Sequence, residues 1–306
     1  MTGKGKGGTP KYTKMQKRDM RVAYLMLLPA VVLLGIFVVT PLIMALEKSF
    51  YEWNFYIDSV FVGFDNYRII LANQSFQRAV VNAFKFVIVL VPLQIVVQFA
   101  FASLLKNLSG KFANVAKTAV YVPSIISAIV AGIIFMFIFE YKGGLINQML
   151  TALGGERIAF KNNGFWAMFS IVVPSVWLGL GGGTILNYAG LVGIPGEYYE
   201  AASIDGANGF HKLIYITLPQ MKNIFVLQCI SMTTGTLQTF ELPMIMTGGG
   251  PREQTLTPML YMYNNFRSTG LSLGYTIAGA VLMMILIAII NSFVFKVIRS
   301  EKSIDG

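Results

Sequence analysis

The residues whose types and spacing could do work are Glu200-Ala201-Ala202, then Gly206 after three intervening residues, then Ile216, Leu218 and Pro219 after nine more. The spacing suits docking rather than bond-breaking. Pro195 suits the first turn of a helix, and the carboxylates of Glu197 and Glu200 suit its N-terminal end. Ala201 and Ala202 propagate the helix with so little bulk that another protein could approach closely. Gly206 suits a left-handed cap, and Asn208-Gly209 offers a second turn. Residues 210–217 can form another short helix, with Leu213, Ile214 and Ile216 on its apolar side, and Pro219 ends or kinks it. The expectation is two short helices joined at a bend. An amphipathic hairpin lying on a bilayer is the plainer alternative.

Covalent chemistry finds little to use. Cys229 is the one cysteine and His211 the one histidine, so neither an internal disulfide nor a Cys-based metal site is expected. There is no His-Glu-x-x-His and no convergent Asp set. A cluster at Gly179, Gly181, Gly182 and Gly183 lacks the Lys that would complete a phosphate loop. The chain is read as a non-enzyme that binds no cofactor and no metal. The glycine cluster permits close helix packing, or irregular backbone lining a path through a membrane.

The elements that must carry these residues are membrane helices. The chain is 55% hydrophobic and 12% charged, against about 25% charged in an ordinary soluble domain. A bilayer core takes about 20 apolar residues per helix. Six stretches qualify: 23–46, 80–105, 119–139, 166–191, 224–246 and 273–297. Barrel-type alternation is absent. The fold class is all-α integral membrane, with six transmembrane helices. Its parts are a basic N-terminal segment (1–22), a first span with its external loop (23–79), a core domain (80–297) holding the 192–223 loop, and a tail (298–306).

Lys and Arg orient the spans. Lys4, Lys6, Lys11, Lys14, Lys17, Arg18 and Arg21 precede the first span, and Lys106, Lys111 and Lys117 follow the second. Lys212 and Lys222 lie between the fourth and fifth, and Lys296, Arg299 and Lys302 follow the sixth. These are fifteen of the 24 basic residues, and six spans put them all on one side with both termini cytoplasmic. The net charge of +10 is thereby a topological signal, not the basic patch of a nucleic-acid binder. The basic start followed by an apolar run mimics a signal peptide. The run is too long and no small-x-small site follows, so a retained anchor is expected.

On the other side, residues 47–78 hold Phe50, Tyr51, Trp53, Phe55, Tyr56, Phe61, Phe64 and Tyr67. These aromatics suit interfacial anchoring or an extracytoplasmic partner surface. Residues 141–165 and 248–272 form the other external connections, and Gly248-Gly249-Gly250-Pro251 signals a turn.

With these residues in place, the sequence resembles the membrane-spanning permease subunits of bacterial ABC importers. Their signature, E-A-A-x3-G-x9-I-x-L-P, is matched at every position from Glu200 to Pro219. The carbohydrate-uptake branch is similar at further places. These are the run from Phe61 to Tyr67, Val176-Trp177-Leu178-Gly179, Ile194-Pro195, Ile204-Asp205-Gly206-Ala207, and Thr247 with the glycine turn. The resemblance covers residues 23–297. It implies the type I importer fold in the bacterial cytoplasmic membrane. Two homologous permeases pair around a central path, two ATPase subunits sit beneath, and an extracytoplasmic solute-binding (lipo)protein delivers a sugar. ATP and Mg belong to the ATPase. Glu200 to Pro219 becomes the coupling loop, with Glu200 contacting the ATPase or capping its own loop.

The resemblance also implies substrate-path positions. In the fourth span these are Ser175, Leu178, Gly179 and Gly182; in the fifth, Met232, Thr236 and Thr239. Each set recurs at helical spacing on one face. Gln238 and Glu241 add polar groups nearby. Glu241 is a functional position by the cost of an intramembrane carboxylate, or an interfacial group, or one paired with the partner permease. Where the family often carries Asn or aromatics, this chain is smaller and less polar. The expected solute is a sugar, an oligosaccharide before a monosaccharide. A glycerol phosphate is the alternative within the branch. A secondary transporter is the alternative class, and it would need coupling-ion sites and inverted repeats.

Overall fold

The structure is a computed structural model that describes residues 13–53, 58–268 and 273–299. Lys4, Lys6, Lys11, Phe55, Tyr56 and Lys302, with most of the C-terminal tail, lie outside the described residues.

Helix α1 (Lys14–Leu34) starts at Thr13, whose side chain and that of Gln16 cap each other's backbone. It runs through a π turn (Gly35–Val39) into α2 (Thr40–Lys48). Pro41 explains the turn. It cannot donate to the ladder and its ring crowds the preceding carbonyl, so the helix widens there, and the Thr40 hydroxyl donates to the Gly35 carbonyl at 2.9 Å. The apolar side chains of this span face outward, Phe37 at 71% exposure.

A hairpin follows, β1 (Tyr51–Glu52) against β2 (Val60–Phe61), antiparallel with Tyr51 opposite Phe61. Helix α3 (Asp65–Ala72) closes it. The buried Asn66 amide donates to the carbonyls of Ser49 and Tyr51 at 2.8 and 2.9 Å. Phe50 sits edge-on to Phe64, 5.3 Å between centroids, with Tyr67 beside both. Part of the aromatic set is thus committed to packing this segment.

Helix α4 (Gln74–Lys106) is a long apolar rod on which several of the other helices pack. The third expected span, 119–139, begins earlier and is broken. Helix α5 (Gly110–Tyr121) passes into a 3-10 turn (Val122–Ile125), and α6 (Ala128–Ile138) leaves at 96°. Pro123 ends the first piece, and the Ser127 side chain caps the second by accepting from the Val130 N–H. After the short α7 (Leu145–Ala152), α8 (Gly164–Gly193) returns along α4.

The polar loop then forms α9 (Gly196–Ile204), α10 (Gly209–Lys212), a second π turn (Leu213–Thr217) and α11 (Leu218–Gln220). Helix α12 (Lys222–Leu237) departs from it at 64°. The fifth expected span, 224–246, is also broken: α12 stops at Leu237 and α13 (Glu241–Met246) starts anew. Helices α14 (Pro258–Arg267) and α15 (Leu273–Arg299) complete the chain. Among the described residues, four helices are long and apolar enough to cross a membrane, or up to six if each bent pair is one span.

Among the described residues, three apolar clusters hold the bundle. One joins Ile70, Phe76, Leu260 and Met283. A second joins Phe86, Leu90, Phe139, Ile171 and Leu242. The third, at the end nearest the polar loop, joins Ala102, Leu191, Ile194 and Met221.

Candidate functional site

The loop from Pro195 to Gln220 has the two-helix bent form that its sequence suggests. Pro195 stands one residue earlier than the first turn, as the N-cap of α9. Gly206 has φ +79°. The Ala207 N–H reaches the Ala202 carbonyl at 2.8 Å and the Gly206 N–H reaches that of Ser203 at 3.1 Å. That pair of bonds is the glycine-closed helix end in which orphan carbonyls are satisfied. Asn208 then caps α10, accepting from the His211 N–H at 2.9 Å.

The loop has two faces. Its inner face is tied to the bundle. Ile216 and Tyr199 pack on the third apolar cluster. The Tyr199 hydroxyl and the Thr217 hydroxyl lie 2.9 Å apart. Lys106, at the end of α4, holds its ammonium 4.9 Å above the Tyr199 ring and donates to the Leu191 carbonyl at 3.1 Å. The ammonium therefore joins α4, α8 and α9 at one point. The outer face carries Glu200, Ala201 and Gly206, all exposed. Around them stand Ile204 at 87% exposure, Tyr215 at 74% and Phe210 at 68%. Ala202, Ile216 and Leu218 are half-buried and Pro219 is exposed. Glu200 caps nothing in its own loop, and its carboxylate is free of hydrogen bonds and ion pairs among the described residues. So large an apolar surface on a polar loop marks an interaction surface, for another protein or for the membrane.

The candidate path residues of α8 divide. A side chain at Gly179 would collide with Gln94, and one at Gly183 with Gln98. One at Gly181 would meet Tyr121 and Ser124. These three glycines serve close packing. Gly182 alone of the cluster faces open space. Ser175 is half-buried, its hydroxyl returned to the Ile171 carbonyl at 2.7 Å. Leu178 packs against the second apolar cluster. Ser175, Leu178, Gly179 and Gly182 therefore do not form one open face.

What lies against the glycines escaped the sequence reading. Gln94 donates to the Ser175 carbonyl at 2.9 Å, Gln98 to that of Gly179 at 2.7 Å, and Gln228 to that of Gly183 at 3.1 Å. Gln228 also donates to the Gln98 side chain at 3.2 Å. Three side-chain amides from α4 and α12 thus run along successive turns of α8. The signal was present, since Gln94 and Gln98 stand four apart in an apolar span.

On α12, Met232 is half-buried and Thr236 is buried. Thr239 lies past the end of α12, so the shared-face argument covers only the first two. Its carbonyl accepts from the Thr257 hydroxyl at 2.8 Å. Glu241 is exposed in the first turn of α13, where a carboxylate favours the helix dipole. Gln238 is the exposed C-cap of α12.

Residues 95–300 match the family described as "Binding-protein-dependent transport system inner membrane component". The chain is 32% identical over 295 residues to the sulfoquinovosyl glycerol transport system permease protein of Agrobacterium fabrum, covering 95% of each. It is 29% identical over 276 residues to the trehalose/maltose transport system permease protein of Thermococcus litoralis, covering 90% of this chain and 93% of that protein. Its fold is similar to a chain in the crystal structure of a bacterial ABC transporter involved in the import of the acidic polysaccharide alginate. That match has a TM-score of 0.80 at 22% identity, over 94% of this chain and 97% of the other. The protein belongs to the family of inner membrane components of binding-protein-dependent transport systems, and it is a multi-pass membrane permease.

Proposed function

We propose that this chain is one permease subunit of an ATP-driven importer for a sugar of oligosaccharide size. In this reading the chain has six spans and both termini are cytoplasmic, with α12 and α13 together forming the fifth span and residues 195–220 lying outside the membrane. The names of the relatives support a sugar as the solute. An external binding protein hands it to a path formed by this chain and a second, homologous permease.

The observation that carries this reading is the two-faced loop. Its outer face, around Glu200, Ala201 and Gly206, docks on one of two ATPase subunits that bind ATP and Mg. Its inner face, through Ile216, Tyr199 and Thr217, is fastened to the ends of α4, α8 and α12. A ligand shifts an equilibrium only through contacts that differ between states. Closure of the ATPase pair on ATP moves the loop, and the third apolar cluster passes that motion to the spans. This chain hydrolyses nothing itself.

Gentle affinity purification of the tagged chain from its own membranes tests the assignment. The expected result is co-recovery of a second permease and a phosphate-loop ATPase. Recovery of the chain alone, with uptake indifferent to loss of the ATPase, would overturn it.

A further inference from the structure

We propose that the outer ends of α4 and α8 form a binding site for an anionic phospholipid. A polar cavity of about 550 Å³ opens between α4, the start of α8 and the turn after α13, and Lys85 and Arg252 line it with Asn162, Asn163 and Gln254. Among the described residues no acidic side chain lines it. Lys85 and Arg252 are both exposed, and neither has an ion pair or hydrogen bond among the described residues. The nearby acid, Glu253, is already engaged by Arg78 at 3.1 Å and by the Ser75 hydroxyl at 2.6 Å. The backbone fixes this division. Arg252 and Glu253 are the two non-glycine residues of positive φ among the described residues, at 47° and 63°. Asn82 on α4 secures them by donating to the Glu253 and Leu256 carbonyls at 2.6 and 3.1 Å. Such strain persists only where the surroundings impose it, and it concentrates at ligand clamps. Here it keeps Glu253 on α4 while Arg252 borders the cavity.

Below the cavity lies an apolar groove of about 430 Å³, lined by Val89 and Leu93 of α4 and by Val172, Val173 and Val176 of α8. Phe165 and Met168 line both spaces, so the cationic cavity and the apolar groove adjoin. A ligand that fills both has an anionic, hydrogen-bonding head and a hydrocarbon tail. The depth agrees. Lys85 and Lys106 stand on one helix about 31 Å apart at 1.5 Å per residue, and a bilayer core is about 30 Å thick. With Lys106 at one surface, Lys85 lies at the headgroup level of the other. The site rests on α4 and α8 spanning the membrane and is independent of the solute carried.

The test uses the full chain with its co-purifying partners, reconstituted in nanodiscs of phosphatidylglycerol or of phosphatidylcholine. Lipid retained after detergent extraction is counted by native mass spectrometry. Retention of phosphatidylglycerol over phosphatidylcholine is expected, falling about tenfold in a Lys85→Gln/Arg252→Gln double variant and returning in Lys85→Arg with Arg252 intact. A phosphatidylglycerol carrying a photoreactive acyl chain is expected to label the Val172 to Val176 segment, and Leu93→Trp is expected to remove that label. Equal retention of the two lipids, or retention unmoved by the double variant, would overturn the site. So would displacement of the lipid by oligosaccharide, which would assign the cavity to the solute path. None of these readouts uses uptake or ATP, so the importer assignment fails or survives separately.

Discussion

Gly206 shows how a single residue can hold the loop's geometry. It sits at φ +79° with nothing within 4 Å of where a Cβ would stand, so a side chain there costs conformational strain, about 1–2 kcal/mol, rather than a clash. Gly206→Val should abolish solute uptake while the protein still inserts, and Gly206→Asn, which tolerates the left-handed region, should keep most of it. Uptake assays beside membrane-fraction immunoblots check both. The α8 glycines separate in the same way. Gly183→Ala should lower the thermal midpoint of the purified chain, because the new methyl displaces the Gln98 amide from its bonds. Gly182→Ala should leave stability unchanged, since that position is open. Equal destabilisation by both would contradict the packing account. Gly206 was legible in the sequence because a glycine after a short helix has a specific backbone meaning. The partition of the glycine cluster was not. Helical spacing says which residues share a face, while the side chains of another helix decide whether that face is filled.

The loop's inner face and the breaks in two spans are matters of elements rather than residues. Severing one tie should loosen coupling without unfolding. Tyr199→Phe removes the 2.9 Å bond to Thr217 but keeps the ring under Lys106, so a loss of about 1 kcal/mol is expected. The measurable result is ATP hydrolysis by the assembled complex that proceeds with less solute moved per ATP. Unchanged stoichiometry would remove Tyr199 from the transmission. The long helices α4, α8 and α15 were readable from apolar length alone, because a bilayer imposes that length. The breaks at Pro123 and between Leu237 and Glu241 were not. Hydropathy registers composition, and an apolar helix with a proline inside can continue, as α4 does through Pro92 and α8 through Pro174. Whether neighbours satisfy the freed backbone groups is decided in three dimensions.

For the whole molecule, charge and topology make one statement. Basic residues gather at both ends and in the connections at Lys106 to Lys117 and Lys212 to Lys222, so with Cys229 replaced by Ser, a cysteine placed at Ala207 should react with an impermeant maleimide only after permeabilisation. One placed at Asp58 should react from outside in intact spheroplasts. The opposite pattern would invert the topology. The family was legible from the spacing of residues 200–219, because two short helices closed by a glycine at φ +79° fix which residue types can stand where. The row of glutamines from α4 and α12 against α8 and the cation cavity were not, since each is assembled from segments far apart in sequence. The central claim is that this permease is driven by an ATPase docked on its loop. The most direct measurement is solute uptake into right-side-out vesicles of the purified complex with the binding protein outside, energised in turn by ATP trapped inside and by a proton gradient. Uptake that requires ATP, ignores a protonophore and disappears with Gly206→Val is the predicted result. Uptake that follows the proton gradient and survives Gly206→Val would contradict it.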